Sequence, residues 1–220
     1  MVQLHALHAG MVPQRSTVDV DIVLHIETDR ITWVRTSEAL LSAGFGLRQP
    51  HNVKAPLHRF ARTHDVIDVL IADHVAPTAL DMRASGKTLM PIPGATSALR
   101  KTVNCHISLG SGHVATLSVP DVLGALTLKG GAYMEDSRDR GRHLEDAVVL
   151  LCTVEDADEI AEDASSWTRG DPRRIRVLAR NLPEDHEAWG LVRDDRQRRR
   201  AQQALSILAQ GPAFRDASPT

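Results

Sequence analysis

Three aspartates carry the clearest chemical potential in this chain. Asp19 and Asp21 stand two apart in Val18-Asp19-Val20-Asp21-Ile22-Val23-Leu24, and Asp68 sits alone in Val66-Ile67-Asp68-Val69-Leu70-Ile71. Both runs are rich in β-branched residues, so both are expected to be strands. Side chains on a strand alternate between its two faces, which puts the carboxylates of Asp19 and Asp21 on one face and Val20, Ile22 and Leu24 on the other. Two like charges held side by side repel one another unless a cation or a donor lies between them. If the second strand lies beside the first, three carboxylates converge as hard oxygen ligands. That donor set suits Mg2+ or Mn2+, with the remaining coordination left to water and substrate phosphates. A pair of such ions can activate an attacking hydroxyl and stabilise a leaving pyrophosphate. An acid between two apolar residues is also a common solvent-facing feature of strands, so the paired aspartates alone are weaker evidence than the pair together with Asp68.

The elements that must position these groups can be read from the pattern around them. Residues 1–9 read as a helix ended by Gly10, and the region Pro13–Thr17 reads as the turn before the acidic strand. A helix is expected over 33–43, ended by Gly44, and strands over 45–47, 58–61 and 66–71, the last two joined as a hairpin at His64-Asp65. Residues 84–97 read as a Gly/Pro-marked loop, and 101–109 and 113–118 as the arms of a second hairpin around Gly110-Ser111-Gly112. From Pro120 the pattern turns helical. Pro120 suits the first position of a helix running to Lys129, and further helices are expected over 141–151, 156–164, 171–180 and 194–209. The fold class is therefore α/β or α+β: a mixed-sheet core over 1–118, a C-terminal helical subdomain over 119–209 and a loose tail over 210–220.

Composition narrows the function classes. The 220 residues are 42% hydrophobic and 25% charged, the balance of a globular protein. No apolar run is long enough to span a bilayer, and the first residues lack a secretion signal, so a cytoplasmic protein without membrane contact is expected. Cys105 and Cys152 are too few for a disulfide framework or a thiolate zinc site and read as buried core thiols. A net charge of −2 offers no global attraction to nucleic acid. Ten arginines between Arg169 and Arg200 could still touch a phosphate backbone, although a solvated helix face accounts for them more simply. Aromatic residues are only 3% of the chain, too few for stacking platforms. His5 with His8 on the first helix, and His106 with His113 across the second hairpin, lack the soft third ligand that zinc needs. Gly86-Lys87-Thr88 has the ending of a phosphate-binding loop but not its glycines.

The segments Arg15-Ser16-Thr17-Val18-Asp19-Val20-Asp21-Ile22-Val23-Leu24, His58-Arg59-Phe60, Asp65-Val66-Ile67-Asp68-Val69-Leu70, Pro120–Lys129 and His143-Leu144-Glu145-Asp146 together resemble a known family. It is the AbiEii/MNT-type nucleotidyltransferase-like group of the DNA polymerase beta-like nucleotidyltransferase superfamily, and the likeness covers roughly residues 1–152. The resemblance implies that Asp19, Asp21 and Asp68 hold magnesium or manganese and are catalytic. It also implies that Lys129, with Arg138, Arg142 and Asp146, completes the active-site region, with Lys129 neutralising phosphate charge. Arg15 and Thr17, just before the acidic strand, are candidate phosphate contacts, with a turn role as the alternative. The activity implied is transfer of a nucleoside monophosphate from a nucleoside triphosphate to a hydroxyl of RNA, protein or a small molecule, within a toxin–antitoxin or phage-defence pair and beside a cognate partner. Two departures stand out. The family's Gly-Gly or Gly-Ser turn, which grips the triphosphate ahead of the first helix, does not precede Met1, and the expectation is that the natural start lies upstream. The family's Lys-Asp pair appears here as Arg142-His143. The alternatives are a non-catalytic relative that binds or regulates, and a nucleic-acid-binding module using the arginine-rich helices.

Overall fold

The computed structural model describes residues 1–12, 19–24, 33–50, 52, 55–74, 89–110 and 112–212. Arg15, Thr17 and the segment Gly86-Lys87-Thr88 lie outside the described residues. The chain divides into two compact units, one of Arg15–Leu99 and one of Met1–Gln14 with Arg100–Thr220. This differs from the boundary expected near 118. The first helix and the second hairpin belong with the C-terminal helices, for physical reasons given below.

The sheet unit contains β1 (Asp19–Leu24), α2 (Trp33–Ser42, the first helix of the chain being α1, Val2–His8), β2 (Gly46–Leu47), β3 (Arg59–Arg62), β4 (Asp65–Ala72), β5 (Met90–Ile92) and a short α3 (Ala95–Leu99). The strand order is β1-β4-β3-β2, with β5 also paired to β4. β4 pairs with β1 and β5 in parallel and with β3 antiparallel, so the sheet is mixed. β1 occupies one edge of β4, while β3 covers the first half of the other edge and β5 the second. β4 is central because its run Ile67–Ala72 tolerates burial on both faces; only Asp68 interrupts its apolar character. On one face Ile22, Leu24, Ile67, Val69, Ile71, Phe60 and Leu47 pack with Trp33, Phe45, Leu57 and Leu89 into a core. The opposite face carries the acids.

Three details of this unit differ from expectation. The β3–β4 turn is Thr63-His64, one residue earlier than expected, with Thr63 in the left-handed region at φ 50°. The Arg62–Asp65 ion pair closes that turn. The expected loop 84–97 contains β5 and α3, because two backbone N–H groups at the start of α3 find an acceptor in Asp73. Val20 is 55% exposed, so the apolar face of β1 is buried only towards its C-terminal end.

The helical unit contains α1, the hairpin of β6 (Thr102–Leu109) and β7 (His113–Pro120), α4 (Val122–Glu135), α5 (Arg140–Leu151), α6 (Ala157–Glu162), α7 (Asp171–Asn181) and α8 (Asp195–Gln210). Its core brings Leu123 and Leu126 of α4, Leu144, Val148 and Leu151 of α5, Ile175 and Leu178 of α7 and Leu205 and Leu208 of α8 together with Trp167 and Trp189. Met1 and Val2 pack against that core, and the His5 ring meets the Pro120 carbonyl at 2.8 Å. These contacts tie α1 to the helices. β7 runs on to Pro120, so Pro120 ends a strand instead of starting a helix; Asp121 is the cap of α4 and accepts from the Gly124 N–H. α4 then continues six residues beyond Lys129. Gly130 and Gly131 are buried inside it.

His106 pairs across the hairpin with Thr116, not His113, and its ring lies 3.0 Å from the Thr116 hydroxyl. The cysteines divide in character. Cys152 is buried and its thiol pKa is pushed up to about 11 by that burial, whereas Cys105 is only partly buried. Among the described residues, no helix is long and apolar enough to cross a membrane.

Candidate functional site

The acidic face of the sheet unit is built by register. In the parallel β1–β4 pair Asp21 stands opposite Asp68, and Asp19 opposite Val66. Directly opposed residues share a face and lie about 4.5–5.5 Å apart at Cβ. Asp19 lies two residues from Asp21, so it joins the same face. On the other edge of β4, Arg59 of β3 stands opposite Asp68. One row across three strands therefore reads Asp21, Asp68, Arg59.

Arg59 and Asp68 form a forked pair. The guanidinium Nε donates to Asp68 Oδ1 at 2.8 Å, and a terminal nitrogen donates to Oδ2 at 2.6 Å. Parallel bonds of this kind are the strongest form of carboxylate recognition. The hydrogen bonds to Asp68 raise the Arg59 pKa first. Desolvation opposes that rise, and the charges of Asp68, Asp19 and Asp21 add to it. The two side chains are unequally placed: Asp68 is 11% exposed and Arg59 49%. A buried carboxylate thus holds a cation whose stem and outer donors stand half in water.

The fit of a divalent ion follows from this donor set. The candidate donors on Asp19, Asp21 and Asp68 are all hard oxygens. In kind the residues fit magnesium or manganese. In the arrangement present, both oxygens of Asp68 are turned to Arg59, and among the described residues no group of three or more His, Cys, Asp or Glu is gathered closely enough to hold a metal ion. As they stand, the residues are not gathered into a site for the ion.

Arg59 also lines an open groove of about 640 Å³ together with Leu47, Arg48, Gln49, Pro50, Pro56 and His58. The backbone N–H of Arg48 donates to the Arg59 carbonyl at 2.8 Å, extending the pairing of β2 with β3 by one residue. The His58 Nδ1 lies 3.1 Å from the Pro56 carbonyl, which can only accept, so that nitrogen carries the proton. Neither Arg59 nor the groove emerged from the sequence as a site. The signal available was the cross-strand position: once β3 and β4 form a tight hairpin, the residue opposite Asp68 is a cation.

Asp73, just past β4, was also missed. Its Oδ2 accepts from the Gly94 N–H at 2.7 Å and its Oδ1 from the Thr96 N–H at 3.0 Å. Burial alone would raise its pKa, but these bonds together with the Thr96 hydroxyl bond outweigh that and hold it below the ordinary value. The role is structural, fixing the β5–α3 turn to the end of β4.

The remaining candidates belong to the helical unit. Lys129 Nζ lies 2.7 Å from an Asp146 oxygen, linking α4 to α5 through a largely buried ion pair. Arg142 is exposed on the first turn of α5. Arg138 is exposed, and its backbone N–H donates to Asp136 at 2.7 Å. His143 is buried, with Nε2 3.2 Å from Asp136 and Nδ1 without a hydrogen-bond partner. Desolvation lowers the His143 pKa against the pull of Asp136, so the ring is neutral near pH 7. The arginine-rich stretch is partly spent within the unit. Arg200 donates to the Val154 carbonyl, Arg198 pairs with Asp195, and Arg173, Arg176 and Arg180 form the solvent face of α7. Lys101 and Asp171 form a deeply buried pair at 2.8 Å that no spacing in the sequence announced. No family model, curated protein or solved structure matches this chain, so the site stands on its own residues and their geometry.

Proposed function

We propose that the chain is a metal-dependent nucleotidyltransferase acting in the cytoplasm. It would move a nucleoside monophosphate from a nucleoside triphosphate to a hydroxyl of an RNA or protein acceptor. The observation that carries this reading is the pairing of Asp21 opposite Asp68 on one face, with Asp19 two residues along the same strand. Asp19 and Asp21 would hold the cation, and Asp68 would complete the site beside the acceptor. Such an ion would supply charge neutralisation on the phosphates and lower the pKa of the acceptor hydroxyl. The chain's own contribution is positional. β1 and β4 are hydrogen-bonded neighbours, so their register sets which carboxylates share a row on the sheet. The acceptor oxygen loses its proton to a carboxylate or water and bonds to the α-phosphorus, while the bond from that phosphorus to the bridging oxygen breaks and pyrophosphate leaves. A toxin–antitoxin or phage-defence setting with a cognate partner follows from the family resemblance.

The Arg59–Asp68 fork favours a second reading, a non-catalytic relative in which an internal cation keeps Asp68 occupied. Transfer of label from α-labelled nucleoside triphosphates with magnesium, into an RNA pool and a protein pool, decides between the two. Activity in the wild-type chain that falls at least a hundredfold in Asp21→Asn and Asp68→Asn supports the enzyme. A folded wild type that neither transfers label nor binds nucleotide rejects it in favour of the non-catalytic form.

A further inference from the structure

We infer that α7 presents an arginine stripe that binds the phosphate backbone of a nucleic-acid duplex. The stripe belongs to the helical unit and calls for no metal ion, so it stands apart from the acidic row of the sheet.

Helical spacing makes the stripe. Arg173, Arg176 and Arg180 are exposed and recur at three and four residues, which puts them on one face of α7 over about 10 Å of its axis. Asp171, Ile175 and Leu178 recur in the same way on the opposite, buried face. Arg169 is exposed as well and lies just before the Gly170 cap. The acid of α7, Asp171, is fully buried, with its carboxylate 2.8 Å from Lys101 and 3.8 Å from Arg174. It therefore offers nothing to the outer face.

The structure separates arginines that serve the fold from those that do not. Arg198 pairs with Asp195, Arg200 donates to the Val154 carbonyl, and Arg174 sits beside Asp171. The side chains of Arg169, Arg173, Arg176 and Arg180 make no hydrogen bond or ion pair among the described residues. Like charges three and four residues apart on a helix repel one another, and no acid on this face offsets them. An anion from outside relieves that repulsion.

Chemistry decides which anion. The planar guanidinium fork matches phosphate oxygens. A membrane surface takes apolar side chains along with cations, and no large apolar side chain of α7 is exposed. Protein partners are gripped by aromatic or aliphatic anchors, yet Trp167 and Trp189 of this unit are buried in its core. The same burial removes the stacking platforms on which single strands depend. A duplex backbone, with one charge per about 1.7 Å of axis, needs only the row of cations. Contacts of this kind do not read base sequence.

Salt dependence tests the assignment. Anisotropy of a short labelled RNA duplex, followed in EDTA over a KCl series, should give a log–log slope of about −3, from one released counterion per arginine of the stripe. Arg176→Gln and Arg180→Gln should each reduce the slope by about one and weaken binding about tenfold at low salt. Both should keep the wild-type thermal midpoint, because the charges removed hold nothing within the unit. Arg196→Gln, in α8 beside Asp194 and Asp195, should leave the slope unchanged. A DNA duplex of unrelated sequence should bind with the same slope, and single-stranded RNA, phosphatidylserine vesicles and polyglutamate more weakly. A wild type that does not bind the duplex at low salt overturns the proposal. So does a slope that neither α7 variant moves, or that Arg196→Gln reduces equally. Tighter binding to the single strand, the vesicles or polyglutamate overturns the choice of a duplex.

Discussion

Individual charges in this protein are rarely left to water when they are buried, and their partners set what substitution does. Lys129 and Asp146 show this in the helical unit, where a 2.7 Å ion pair joins α4 to α5. Lys129→Met keeps the stem but strips the cation from a buried carboxylate, and breaking such a pair from one side typically costs about 3–5 kcal/mol. Urea unfolding should show that loss at neutral pH. The double variant Lys129→Met with Asp146→Leu should recover most of it, and an unrecovered double variant would mean that the pair does more than neutralise charge. Asp73 gives a pH-dependent case. Its folded pKa lies below the ordinary value near 3.8, so its stabilisation is complete above that value and disappears as pH falls through the folded value. Asp73→Asn should therefore destabilise the chain by roughly 1 kcal/mol at pH 7 and by progressively less below pH 4. His143 acts in a different window. Its folded pKa is depressed by burial, so stability is retained above about 6.5 and lost as pH falls below it.

At the level of elements, close approach dictates residue type more strictly than helix propensity does. Gly130 lies within α4, and a β-carbon there would sit 2.4 Å from the Arg174 carbonyl oxygen and 2.8 Å from its carbonyl carbon, both backbone atoms of α7. Alanine in a helix interior is favoured over glycine by up to about 1 kcal/mol. Separating two packed helices typically costs about 1–3 kcal/mol. Backbone cannot swing aside as a side chain can, so the clash wins and Gly130→Ala should lower the thermal midpoint. Gly141 is the internal control, because a β-carbon added there meets nothing within 4 Å. Gly141→Ala, on the first turn of α5, should leave the midpoint unchanged or raise it slightly.

On the scale of the whole molecule, the two units rely on separate apolar cores, one formed by the sheet with α2 and one formed by α4, α5, α7 and α8. Each core accounts for its own members. Leu144, Val148 and Leu151 of α5 and Ala201, Ala204, Leu205 and Leu208 of α8 recur at helical spacing and are buried, whereas β1 and β4 place Ile22, Leu24, Val69 and Ile71 in their core at a spacing of two. Lesions confined to the helical core should therefore leave the sheet site intact. In Gly130→Ala, hydrogen exchange of the β1 and β4 amides measured below the melting transition should match wild type.

Periodicity made much of this architecture legible in advance. The strands around Asp19–Asp21 and Asp68 and helices α2, α5, α7 and α8 announce themselves by local spacing, because each repeats its own apolar pattern. The same spacing determined that Asp19 and Asp21 share a face. Short elements were not legible: the turn from β5 into α3 is held by Asp73, some twenty residues earlier, which accepts from the Gly94 and Thr96 N–H groups. Nor was the attachment of α1 and the second hairpin to the helices, which depends on contacts such as His5 with Pro120 across more than a hundred residues. The opening feature divides in the same way. Sequence alone determined that three carboxylates stand in two apolar strands. Only the tertiary structure decided that Asp21 faces Asp68 and that Arg59 grips Asp68 from the other side, because strand register is set by non-local pairing and no local spacing encodes it.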